Sequence, residues 1–158
     1  MRLPNPTEAA PWAPESVVVN KRVEIGAPPA KVWAALTIPE LMRQWMFETK
    51  LDILTDWAPG GPIIIRGKSN GARFENTGTV LQFEPEKVLE YSHLSSASRL
   101  PDVPASYSSI EFRLAALAEG RTELTLTLKN FPTEIIYKHL AYYWTVTLGI
   151  IKRRVEAQ

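Results

Sequence analysis

The stretch that decides the fold is IGAPPAKVWAALTIPELMRQW, which runs from Ile25 to Trp45. The alternating residues before it predict a strand that ends at Ile25. Pro28 and Pro29 then suit the first turn of a helix, where a missing N–H costs no hydrogen bond. The apolar residues that share one face of this helix are Val32, Trp33 and Leu36. The order is therefore strand, then helix.

A second short helix is predicted directly after the first. Thr37 and Glu40 have the spacing of a capping box, in which two side chains satisfy free backbone N–H groups at a helix start. We expect this helix to end near Trp45.

The rest of the chain reads as strands followed by one long helix. Apolar and polar residues alternate in several segments, as in strands that bury one face. These segments are Ser16 to Ile25, Ile63 to Ile65, Arg73 to Glu84, Val88 to Leu94, Tyr107 to Leu117 and the run through Leu124, Leu126 and Leu128. Pro132 and Thr133 open the last element, whose apolar residues recur at helical spacing: Ile136, Leu140, Tyr143, Trp144, Thr147 and Ile151. The pattern predicts an α+β fold.

The first fifteen residues predict an extended arm. Pro4, Pro6, Pro11 and Pro14 block regular hydrogen bonding there. We expect Trp12 to dock on the body of the protein, because burying a large aromatic ring is favourable wherever a groove exists. The division is an arm over residues 1–15 and one domain over residues 16–156.

Composition narrows the function classes. The 158 residues carry a net charge of +1, which gives no support for binding to nucleic acid or to an anionic membrane surface. The chain has no cysteine, so disulfides and thiolate chemistry are absent. No apolar run approaches the roughly 18–20 residues that span a bilayer. We expect a cytoplasmic protein without a membrane span.

A set of short motifs extends over most of the chain. They are the run from Ala27 to Glu40 with Trp45, the Pro59-Gly60-Gly61 turn, Gly78-Thr79-Val80, Glu84-Pro85, Leu89-Glu90-Tyr91, the run from Thr122 to Leu126, and Trp144. In these motifs the sequence resembles START-like, helix-grip domains (the SRPBCC superfamily), in the branch called the activator of Hsp90 ATPase homologue family. Family members often carry tryptophan at the position of His93, so a different cavity chemistry is expected here.

The resemblance implies a curved antiparallel sheet wrapped around a long C-terminal helix, with a pocket between them. Such pockets are mostly apolar, with a few polar groups that fix the ligand's orientation. Strand alternation and helical spacing supply the residues expected to line it. They are Trp33, Phe47, Trp57, Tyr91, His93, Ile110, Phe112, Leu140, Tyr143, Trp144 and Thr147.

His93 and Tyr143 are the candidates for chemistry in such a pocket. Histidine can donate or accept a proton near neutral pH. His139, one residue before Leu140, could reach the cavity mouth or be exposed. Two histidines without cysteine do not predict a metal site, and no phosphate-binding loop is present, so no cofactor is expected.

Three functions are compatible with these residues. The first is binding of a hydrophobic or amphipathic small molecule without catalysis, favoured because no catalytic set is assembled. The second, from the resemblance, is a cyclase or hydrolase acting on polyketide-like substrates. The third is a co-chaperone or stress-related domain that binds a protein partner through the arm. Self-association is compatible with all three.

Overall fold

The computed structural model describes Trp12, residues 17–46 and residues 50–158. Seven strands form one antiparallel sheet in the order β1-β7-β6-β5-β4-β3-β2. The strands are β1 Val19–Ile25, β2 Asp52–Leu54, β3 Pro62–Ser69, β4 Ala72–Glu84, β5 Val88–Ser95, β6 Ser108–Leu117 and β7 Arg121–Lys129. The helices are α1 Pro29–Thr37, α2 Pro39–Trp45 and α3 Glu134–Glu156. The predicted helix-grip architecture is confirmed.

The core lies between the concave face of the sheet and the helices. On β7, Leu124, Leu126 and Leu128 are fully buried, while the residues between them are half-buried. This alternation places every second side chain on the core face. Helix α3 adds its own buried stripe, which is Leu140, Trp144, Thr147, Leu148, Ile151 and Val155.

The backbones of β4 and β5 come close together at Gly78. A Cβ at Gly78 would overlap the carbonyl oxygen of Ser92, so only glycine allows this approach of the two backbones. The register then shifts by one residue between Val80 and Gln82, which is a β-bulge.

The predicted capping box is wrong. Thr37 is the last residue of α1, and its hydroxyl donates to the carbonyl oxygen of Trp33 at 2.8 Å. Ile38 stands at the start of α2 without a side-chain cap, and Pro39 occupies the first turn. Because proline needs no N–H partner there, the helix begins without the predicted cap.

Helix α3 is capped at its start and anchored at its end. The Thr133 hydroxyl accepts a hydrogen bond from the Ile136 N–H at 3.1 Å. Near the other end, the Glu156 carboxylate accepts from the Gly26 N–H at 2.7 Å, and Lys152 Nζ donates to the carbonyl oxygen of Glu24 at 2.6 Å. These bonds tie the end of α3 to the turn after β1.

Trp12 lies against the body of the domain. Its indole N–H donates to the carbonyl oxygen of Phe131 at 3.0 Å, and its ring stacks on Tyr137 at a centroid distance of 5.6 Å. The other residues of the predicted arm lie outside the described residues. In the part of the chain that is described, no helix is long and apolar enough to cross a membrane.

Candidate functional site

A cavity of about 520 Å³ lies between the concave face of the sheet and the first half of α3. Its walls come from α3, from β3 to β6 and from the loop after β5. The lining residues are Met46, Leu51, Ile65, Phe74, Asn76, Tyr91, His93, Leu94, Ser95, Ala97, Ser98, Leu100, Ser106, Ser108, Ile110, Pro132, Ile136, His139, Leu140, Tyr143 and Trp144.

Strand alternation and helical spacing explain how these side chains meet. On β5, Tyr91 and His93 are two residues apart and share the inner face. Their partners on β6 are Ile110 and Ser108, respectively. The α3 residues that line the cavity, Ile136, His139, Leu140, Tyr143 and Trp144, recur every three or four residues and so form one helix face.

His93 lies in the cavity wall in its neutral form. The pKa of His93 is lowered from 6.5 to about 4, chiefly by burial and, to a smaller extent, by the electrostatic influence of His139. Among the described residues, neither ring nitrogen of His93 has a hydrogen-bond partner. The neutral imidazole therefore has one hydrogen-bond donor and one acceptor that no described residue uses.

The two cavity tyrosines are held in their protonated form. Burial raises the pKa of Tyr91, and the neighbouring Tyr143 raises it further. Burial also raises the pKa of Tyr143, while the Thr147 hydroxyl has a smaller, opposite effect. Both phenols can therefore donate hydrogen bonds, and neither is a ready base near neutral pH.

The Asn76 side chain contains a buried hydrogen-bond acceptor that has no donor among the residues that the structure describes. It faces inward from β4, where its register partners are Ile65 and Ser95. Its Oδ1 is buried and has no hydrogen-bond partner within the described ranges. A buried acceptor without a donor is uncommon in folded proteins and calls for an explanation.

Six of the residues expected from the sequence line this one cavity: Tyr91, His93, Ile110, Leu140, Tyr143 and Trp144. Two serines that follow β5, Ser106 and Ser108, are also buried and line the cavity. Phe47 lies outside the described residues.

Four expected residues pack elsewhere in the core and are corrections. Trp33 and Trp57 both pack on Phe83, with centroid distances of 5.2 and 5.7 Å. Phe112 packs edge-on against Trp144 at 5.4 Å. Thr147 is fully buried, and its hydroxyl donates to the carbonyl oxygen of Tyr143 at 2.7 Å. The second half of α3 packs directly on the sheet, so the space opens only under the first half.

Other cavity residues can be identified only when the pairing register of the strands is known. Asn76 and Phe74 share the inner face of β4, but the register shift between Val80 and Gln82 makes the inner face of β4 hard to identify from alternation alone. His139 lines the cavity while remaining exposed at its mouth.

No metal centre is present in the described part of the chain. There, no three histidine, cysteine, aspartate or glutamate side chains lie close enough together to hold an ion.

A second concavity, of about 820 Å³, lies at the tip of the β3–β4 hairpin. Most of its lining residues carry charge: Lys50, Asp52, Arg66, Lys68, Arg73 and Glu75. Arg66 Nε is 2.6 Å from the Glu75 carboxylate. Alternation in β3 and β4 places these charged side chains on the face opposite to Ile65 and Asn76.

The fold and the cavity define a helix-grip domain whose sheet and last helix enclose an internal space. The sequence model of the activator of Hsp90 ATPase homolog 1-like proteins matches residues 26–156. The chain belongs to this family. A search of curated proteins found no match.

Solved structures give the same picture of the fold. A solution structure of a Cytophaga hutchinsonii protein is 34% identical, with a TM-score of 0.75 over 90% of this chain and 95% of that one. The Aha1 dimer from Colwellia psychrerythraea is 26% identical, with a TM-score of 0.68 over 89% and 96%. A Chromobacterium violaceum protein, 20% identical with a TM-score of 0.74 over 88% and 96%, shows the fold alone.

Proposed function

We propose that this protein binds a hydrophobic or amphipathic small molecule in the cavity between the sheet and α3. The observation that carries the proposal is the cavity itself. Its volume of about 520 Å³ lies within the range of small-molecule sites. Most of its wall is apolar, while Asn76, Tyr91, His93 and Tyr143 contribute polar groups that could orient a ligand.

The test is binding of a neutral, environment-sensitive dye such as Nile red, followed by fluorescence. Ile136 faces the cavity, whereas its neighbour Ile135 is 79% exposed. The variant I136W should fill the space and weaken dye binding at least about tenfold, since the indole replaces the ligand's volume. The matched control I135W adds the same ring to solvent and should bind as the parent does. Equal binding by both variants would reject this site.

A catalytic function on a polyketide-like substrate has one supporting observation. His93 and Tyr143, the candidates for acid or base, line the same cavity. The lowered pKa makes His93 a weak base near neutral pH, so this proposal ranks second. Turnover of a candidate substrate that survives the joint replacement H93Q/Y143F would exclude these roles.

A protein-binding function through the arm has less support. The Trp12 ring, which would be its anchor, is already engaged by Phe131 and Tyr137. Deleting residues 1–14 should weaken capture of a partner if that function holds.

A further inference from the structure

The cavity wall is built from apolar, hydroxyl, amide and imidazole side chains. Within the described residues, no aspartate, glutamate, lysine or arginine lines it. The nearby cations of the β3–β4 hairpin, Arg66, Lys68 and Arg73, face the opposite side of the sheet. An ion brought into this cavity would lose its water without gaining an opposite charge, which is strongly unfavourable.

The polar groups of the wall are also neutral. Tyr91 and Tyr143 keep their protons, and His93 is uncharged near neutral pH. Ser106 and Ser108 add hydroxyl groups from the β6 side. These groups can form hydrogen bonds with a ligand but cannot balance the charge of an ionised ligand.

One polar atom in this wall needs a donor. Asn76 is one of the residues that line the cavity, and its Oδ1 is buried without a partner among the described residues. The terminal torsion of asparagine is broad, so rotation of the amide can present its oxygen to the space. A ligand hydroxyl or N–H group placed there would supply the missing bond.

We propose that the occupant of this cavity is an electrically neutral molecule with an apolar body and a hydroxyl or similar donor that pairs with the Asn76 side chain. The inference rests on the binding function proposed above. It goes further by naming the charge of the ligand and the residue that selects it.

The experiment compares three probes that share one ring system: naphthol, naphthalene and naphthoate. Each is titrated into the intact protein at neutral pH, and dissociation constants are measured by probe fluorescence or calorimetry. Naphthol should bind about tenfold more tightly than naphthalene, because it forms one additional hydrogen bond in a water-poor site. Naphthoate should bind more weakly than naphthalene, because its charge has no partner.

The variant N76L tests the residue. It replaces the amide with an apolar group of similar size, so naphthol should lose its advantage over naphthalene. Naphthalene itself has no polar group and serves as the internal control: its affinity should be unchanged if the cavity is intact.

Each other outcome has a definite meaning. Naphthoate binding as tightly as naphthol would overturn neutrality while leaving small-molecule binding in place. An unchanged preference for naphthol in N76L would overturn the role of Asn76. Failure of all three probes and of Nile red would reject the binding function itself.

Discussion

His93 on β5 and His139 on α3 line the same cavity, and the electrostatic influence of His139 adds to burial in lowering the pKa of His93. His93 is therefore harder to protonate in the folded protein than in the unfolded chain, so acid should destabilise the fold through this side chain.

The first prediction concerns stability below neutral pH. The pKa of His93 is about 4 in the folded protein, against 6.5 as its ordinary value. Between these values the unfolded chain binds the additional proton, so stability falls as pH falls from 6.5 to 4. The loss should be at most about 3 kcal/mol. Urea unfolding at several pH values measures it, and H93Q should flatten the slope in this window.

The second prediction concerns the close approach of β4 and β5 at Gly78. G78A should destabilise the protein by about 2–3 kcal/mol, because the new Cβ would overlap the Ser92 carbonyl. The control is G149A in α3, where the nearest heavy atom to the new Cβ is 3.8 Å away. That variant should gain about 0.5–1 kcal/mol from helix propensity. Thermal unfolding of both variants measures these changes. A G78A variant as stable as the parent protein would contradict the close approach of Gly78 to Ser92.

The third prediction concerns a buried carboxylate on the outer face of the sheet. Glu90 accepts hydrogen bonds from Ser109 at 2.7 Å and from Gln82 at 3.0 Å. Burial alone would raise the pKa of Glu90, but the bonds from Ser109 and Gln82 and the charge of Lys129 together lower it. Stability from Glu90 is therefore present above the pKa of the unfolded chain and is lost as pH falls through the folded pKa.

Removing the Ser109 hydroxyl tests this network. S109A should raise the pKa of Glu90 and cost about 1–3 kcal/mol, because a buried carboxylate oxygen loses its donor. The carboxylate can be followed by NMR titration, and a double-mutant cycle with E90L, which removes the acceptor, isolates the pair. Additive losses in the cycle would show that the two side chains do not interact.

The fourth prediction concerns Trp12. W12A should lower stability by about 1–3 kcal/mol, since it removes both the bond to Phe131 and the stacking on Tyr137. W12F keeps a ring for stacking but loses the N–H, so its loss should be smaller. Equal unfolding midpoints for all three proteins would mean that the docking is not stable in solution.

Much of the fold could be predicted because its signals are local. The alternation in β5, β6 and β7 and the helical spacing in α3 each lie within one continuous segment. The strand β2 was not predicted, because three residues are too few for alternation to be read. The capping role predicted for Thr37 is wrong because Pro39 lies in the first turn of α2 and has no N–H group that needs a capping partner.

The candidate site could be predicted only in part, because its boundary depends on packing between distant segments. Tyr91, His93 and Tyr143 follow from periodicity. Trp33 and Trp57 have suitable spacing but pack on Phe83, a partner that no local pattern identifies. Asn76 faces inward only because β4 pairs with β3 and β5 in a particular register.

The place of β1 in the sheet has a consequence for the order of folding. Within the described residues its one strand neighbour is β7, with Val23 opposite Leu124, and α3 contacts β1 from the concave side. During synthesis, β7 follows β1 only after about a hundred further residues have been added, as the separation of 97 residues between Glu24 and Arg121 indicates. Such distant pairings slow folding. Among the strands described, β1 is therefore made before the others but completes its pairing late.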